Sequence, residues 1–430
     1  MKKQPILLVI VCVAALFMQS CTDNCQQTQT LVYYQPVYST SAQVKAAVAI
    51  LPPQDLSQIG KIYFKDGYLY INEVGKGIHI IDNRDPANPQ PHSFLKIPGN
   101  YDLAIRGTTL YADSYVDLVA FDISNLDEIR EVNRIERLFN NYMTMGYLVS
   151  SELGILTNWE KVEQEVVNES DCNTIFQPWG GFLYRSGIAL TADRAQSFSA
   201  TSALAPTSAA GIGGSMARFT ISDDYLYALD GSNLDIVDVS VQTQPQAKKE
   251  FAMSWDVETL FPHNQKLFVG SRSGMYILDL KTPDAPQMIS QYQHVRSCDP
   301  VVVEGDYAYV TLRSGNTCEG FTNQLEVIDL KDLTKPTLVS VYPMTNPHGL
   351  GMDQGKLFIC DGSDGLKVYD ASDVTKISAN QLAHYKNIHA FDVIPWQQVA
   401  MVIGADGLYQ YDYSDIQNIK LLSQLPIVEE

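Results

Sequence analysis

The sequence predicts an all-β protein folded as a β-propeller of seven blades, each of four antiparallel strands, and three observations carry that prediction. An apolar run closing on an aspartate recurs seven times: IHIID at Asp82, LVAFD at Asp122, LDIVD at Asp238, MYILD at Asp279, LEVID at Asp329, LKVYD at Asp370 and LYQYD at Asp412. A second β-type run precedes most of them, such as YLYIN from Tyr68, TLYAD from Thr109, YAYVTL from Tyr307 and KLFICD from Lys356, so each pair reads as a hairpin. Five of the six intervals between the aspartates span 40 to 50 residues, without helical periodicity. A period in the forties built of strands is one four-stranded blade per repeat. An eight-bladed ring is the alternative, because one interval is long enough to conceal a degenerate repeat.

The hairpin at Leu357 to Asp370, LFICDGSDGLKVYD, shows the unit most clearly. The closing aspartates should cap the turn between third and fourth strands by accepting backbone hydrogen bonds. Prolines at Pro86, Pro283 and Pro336 mark that turn, since proline cannot donate to a ladder. LDIVDVS at Leu234 to Ser240, LEVIDL at Leu325 to Leu330 and DNRDPANP from Asp82 resemble the LVIVD-repeat family of bacterial surface β-propellers. The resemblance implies a propeller in a cell-envelope setting.

Taken in order, the chain begins with Lys2 and Lys3, an apolar run from Ile6 to Phe17, and then Ser20 and Cys21. That run is short for a membrane span and its basic start fits a signal peptide over residues 1–20. FMQSC resembles a bacterial lipoprotein cleavage box, which makes Cys21 the expected lipidation site and the first mature residue. Met18 and Gln19 depart from the box; an ordinary signal peptide with an incidental cysteine is the alternative. Residues 21–56 are polar, then tyrosine-bearing, and read as a tether ending in a packing segment near Val44 to Leu51. A single propeller domain is expected over 57–430, with blades one and two at about Ile62 to Gly99 and Asn100 to Phe139. The later blades begin at about Met216, Trp255, Asp299, His348 and Phe391.

Asp122 and Asp238 stand 116 residues apart, so an insertion is expected at about 140–215. Its first half has strand character and predicts a long hairpin protruding from blade two. Its second half, Ala195 to Gly214, is rich in Ser, Ala, Thr and Gly and predicts a mobile loop. Trp159, Trp179 and Tyr184 concentrate aromatics there as candidate contacts for a protein or glycan; packing onto blade two is the alternative.

A formal net charge of −19 argues against nucleic acid or an anionic lipid surface as partner. The seven cysteines include five beyond Cys12 and Cys21. Export permits disulfides, and Cys298 with Cys318 is the preferred pair, being placed before a first strand and in the enlarged loop of the same repeat. Free or buried thiols are the alternative.

By repeat phase, Asp102, Asp256, Asp299, His348, His389 and Asp392 fall near one mouth of the central channel. Aspartates with two histidines could hold a divalent metal, or act as acid and base on a sugar or ester. The same aspartates recur blade after blade and could instead belong to the repeat's own capping. Signatures such as G-x-S-x-G, H-E-x-x-H, a phosphate-cradling glycine loop and C-x-x-C are absent. The expectation is therefore a lipid-anchored outer-membrane protein, on the cell-surface or periplasmic face, whose propeller binds or scaffolds a protein or glycan. The alternative is an exported hydrolase or lyase working at the channel mouth.

Overall fold

A computed structural model describes residues 24–139, 154–171, 210–254, 257–294, 300–314 and 322–428. The chain divides into two compact units, one made of residues 38–156 and 195–430, the other of 1–37 and 157–194.

The larger unit is a seven-bladed propeller. Blade 1 is Ile59–Lys65, Tyr68–Glu73, Gly77–Asp82 and Gln90–Lys96, each strand antiparallel to the next. Blade 2 follows at Leu103–Arg106, Thr109–Ser114, Asp117–Asp122 and Arg130–Ile135. The inner strands of blades 3 to 7 are Phe219–Ser222, Val257–His263, Val301–Glu304, Leu350–Asp353 and Ala390–Trp396. Each inner strand touches its neighbours in cyclic order, and that of blade 7 returns to that of blade 1. In blade 3 the outer edge is split into Gln246–Ala247 and Phe251–Ala252.

The repeat has a local cause. In all seven blades the closing aspartate ends the third strand and its carboxylate accepts the backbone N–H two residues on, at 2.8 to 3.1 Å. Every one of these carboxyls is held below the usual carboxylate range, at Asp82, Asp238, Asp370 and Asp412 first by the side chain of the residue two on and then by its N–H, and at Asp122, Asp279 and Asp329 first by that N–H. In six blades the register with the outer strand slips just before that aspartate, as between Ile80 and Ile81 or Val327 and Ile328, a β-bulge that twists the outer strand.

Among the described residues, no strand is exchanged between first and last blades to shut the ring. Leu56 forms a parallel bridge with Ile427, and Val428 N–H donates to Leu56 O at 2.9 Å. Ile62, Leu69, Ile71 and Ile81 of blade 1 pack into one cluster with Ile394, Met401, Ile403 and Leu408 of blade 7. Asn83 and Gln410 exchange two amide hydrogen bonds across the same seam, at 2.9 and 2.6 Å.

The segment before blade 1 is more ordered than its composition suggests. Thr40 and Gln43 form a capping box on a short helix, Ser41–Ala46, and Ala49–Leu51 adds a strand outside blade 1. Residues 24–39, read from sequence as polar tether, form a strand that pairs with Ile155–Asp171. The strand expected in the first half of the insertion is thus present, but its partner comes from the N-terminal segment, where it finds free backbone groups. Gln35 donates to Glu160 at 3.2 Å along this ribbon. Leu31, Val32, Tyr33 and Tyr34 lie exposed on it.

Asp238→Ala should cost about 1 kcal/mol, since it removes acceptors for the Ser240 N–H and hydroxyl. Asp238→Asn should cost less, because it keeps one acceptor oxygen, and chemical denaturation compares the three chains.

Candidate functional site

The innermost strands leave one edge free toward the channel, and in blade 1 that edge is not empty. Residues 210–216, arriving after the insertion, run antiparallel to Ile59–Lys65, with Ile212 opposite Phe64 and Gly213 opposite Tyr63. Ala210 bridges Arg106 and Gly211 N–H donates to Ile105 O at 3.1 Å, both in blade 2. Gly214 N–H donates to Ile62 O at 3.0 Å. Ser215, fully buried, accepts from Leu350 N–H of blade 6 at 2.9 Å and offers its own N–H to Asp392 of blade 7 at 3.4 Å. The protein's own chain therefore occupies the channel and stitches four blades together before turning into blade 3.

Glycine is required at Gly211 by close approach. A Cβ there would lie 2.3 Å from Tyr63 Cε1 and 2.8 Å from Phe64 O. Tyr63 cannot retreat, because its hydroxyl accepts from Ile105 N–H at 3.1 Å and locks blade 1 to blade 2. The expected mobile loop from Ala195 to Gly214 is corrected at this end. Paired backbone groups fix residues 210–214, and 195–209 lie outside the described residues.

Around this strand sits a cluster of charges. Four residues before the turn, the inner strands of blades 1, 2, 3 and 7 place Lys61, Asp102, Arg218 and Asp392 at one level. Lys61 donates to Met216 O at the top of the channel strand. Burial lowers its pKa, against the raising fields of Asp102 and Asp392. Asp102 accepts from Arg218 N–H at 2.5 Å and Phe219 N–H at 3.2 Å, so it caps the first strand of the next blade. Burial raises the pKa of Asp102, and raises that of Asp392 strongly; Oδ2 of Asp392 has no hydrogen-bond partner among the described residues.

The histidines gather at the rim where the inner strands begin. His348 and His389 lie 6.3 Å apart by ring centroids, with Phe391 5.3 and 5.0 Å from them. Arg313 Nη1 stands 3.0 Å from His348 Nδ1. Burial, with Arg313 and His389 adding to it, takes the His348 pKa down to about 2, so this ring is neutral at physiological pH. A ring held neutral by so low a pKa is a very weak base and has no imidazolium proton to deliver near neutral pH. Nearby, Glu258 pairs with Arg272 at 2.9 Å.

Of the residues singled out in the sequence, Asp102, His348, His389 and Asp392 are brought to the channel. Asp256, Asp299, Trp179, Tyr184, Cys21, Cys298 and Cys318 lie outside the described residues. Trp159 lies on the Ile155–Asp171 strand, half-buried. Cys360 is a buried free thiol whose pKa burial raises. Among the described residues, no three His, Cys, Asp or Glu side chains converge as a metal site.

Sequence reasoning missed the acids that end second strands. Glu73 accepts from Gln58 N–H at 2.8 Å, Asp113 from Tyr101 and Asp102 N–H at 2.8 and 3.0 Å, and Asp361 from Asn346 N–H at 2.7 Å. They anchor the loops that enter blades 1, 2 and 6. Their signal was an acid at or next to the end of the second run, in YINE, YAD and FICD, one place earlier in YAD than in the other two. It also missed Lys61 and Arg218, for which only the phase of the hairpins gives a clue.

The chain carries LVIVD repeats, matched at residues 60–91, 213–252 and 296–343. No curated protein matches the sequence. Among solved structures, it is similar to the computationally designed Ika8 protein, at 10% identity and TM-score 0.49 over 88% of this chain and 92% of that one. Kluyveromyces lactis Hsv2 matches at 9% identity and TM-score 0.47 over 89% and 100%. A protein from Lactobacillus plantarum matches at 12% identity and TM-score 0.47 over 84% and 95%.

Gly211→Ala should destabilise the fold by about 1–3 kcal/mol through overpacking against Tyr63. Gly213→Ala, where the nearest atom to a Cβ is 3.3 Å away, should cost clearly less. Equal denaturation midpoints for the two variants would contradict the placement of the channel strand.

Proposed function

We propose that the protein is a cell-envelope lipoprotein, anchored to the outer membrane through a lipidated Cys21, whose propeller binds or scaffolds a protein or glycan partner. The observation that supports this best is the filled channel. Residues 210–216 occupy the space where a propeller would otherwise admit a small substrate along its axis, and their hydrogen bonds engage Asp392 and Lys61. Asp102 is engaged in capping blade 3. What remains for recognition is the outside of a rigid ring, with loops carried on its rims, and rigid scaffolds presenting loops are suited to binding. The basic and apolar leader and FMQSC support the anchor.

Two measurements test this reading. Cys21→Ser should abolish incorporation of labelled palmitate and release the chain from the membrane fraction; unchanged labelling would remove the anchor. The full chain, immobilised and offered solubilised envelope, should capture one protein or polysaccharide saturably. Turnover of ester, lactone or glycoside substrates that is lost in His389→Ala would overturn the binding reading in favour of an exported hydrolase or lyase.

A further inference from the structure

A groove lies at the opposite rim from the histidines, where inner strands turn into second strands. It lies between blades 1 and 7, with a volume of about 630 Å³. One wall is the turn Lys65, Asp66 and Gly67, with Asn83 and Arg84 above it; the other is Trp396, Gln397 and Val399. Its floor is the channel strand at Ala210, Gly211 and Ile212. The size falls within the usual range for small-ligand sites.

The chemistry of the walls narrows the ligand. Both cations are already paired within the protein, Lys65 with Asp66 and Arg84 with Asp82, so the groove offers no uncompensated charge to a phosphate, a carboxylate or a cation. Asn83 is committed to Gln410. Trp396 is half-buried; one part of it packs against the Leu56 and Ile394 cluster and the rest lines the groove. Gln397 adds an exposed carboxamide, on a turn residue held at φ +47°. An open groove lined largely by apolar groups, with Trp396 on one side and the Gln397 carboxamide beside it, suits a ligand that is uncharged and combines an apolar face with hydroxyls.

We propose that this groove is a binding site for a neutral pyranose, as a free sugar or as one unit of an envelope polysaccharide, stacked on Trp396 and hydrogen-bonded by Gln397. The proposal deepens the binding-module reading and rests on it. It also ties recognition to the insertion, because the floor of the groove is the first described stretch after residues 172–209.

The test is calorimetric titration of the full chain with cellobiose, maltose and diacetylchitobiose. At least one should bind, with affinity unchanged by ionic strength because the ligand is neutral. Trp396→Ala should weaken it at least about tenfold, whereas Trp396→Phe should stay within a few-fold because a ring face remains. Gln397→Gly relieves the left-handed turn, so it leaves the fold intact, and should weaken binding severalfold. Binding by none of the three sugars, or binding indifferent to both Trp396→Ala and Gln397→Gly, would overturn the proposal. If envelope capture persists in either case, the groove assignment alone has failed; if capture is also absent, the binding-module reading fails with it.

Discussion

The ring depends on what happens at the inner edge of blade 1. A buried strand edge cannot keep unpaired N–H and C=O groups without a cost of a few kcal/mol each. Here the edge is satisfied by a strand drawn from the chain itself, and the same seven residues reach blades 2, 6 and 7 through Ile105, Leu350 and Asp392. That placement compensates for the way the ring is shut. Blades 1 and 7 share one bridge, an apolar cluster and an amide pair, with no common strand. The channel strand crosses behind this seam and binds both blades from inside.

The charged cluster follows from the same geometry. Turning a strand around inside a channel leaves carbonyls and amides at its upper end, and these are met by Lys61, Asp102 and Asp392. Burying such groups is costly, as the lowered Lys61 pKa and the raised pKa of both acids record. Buried ionic groups contribute little net stability but penalise wrong arrangements strongly. In a fold made of near-identical blades, they give the insertion one place to return. A catalytic origin for the recurring aspartates is thus unnecessary for Asp102, whose oxygens are spent on backbone N–H groups of Leu103, Arg218 and Phe219.

The blades were legible because their determinants are local. An aspartate that accepts the N–H two residues ahead leaves the same mark seven times, and both blade count and strand order follow from its spacing. The channel strand was not legible, because its partners are distant: Gly211 pairs with Ile105, and Ser215 with Leu350 and Asp392. Its glycines, which read as a loop signal, mark close approach to Tyr63 instead. The strand at residues 24–39 was hidden for a similar reason, since a polar Gln/Thr-rich segment becomes a strand only when it finds an edge such as Ile155–Asp171. The channel-mouth residues were placed by phase, which locates a residue on a rim but does not reveal that His348 is buried against Arg313.

The channel strand is an integral part of the fold, and native-state hydrogen exchange of the Gly211 and Gly214 amides tests this most directly. Both should exchange as slowly as the inner-strand amides of Leu103 and Ile105, through unfolding of the whole ring. Exchange at the rate of an open loop, while the inner strands stay protected, would show that the segment merely visits the channel and that the ring closes without it.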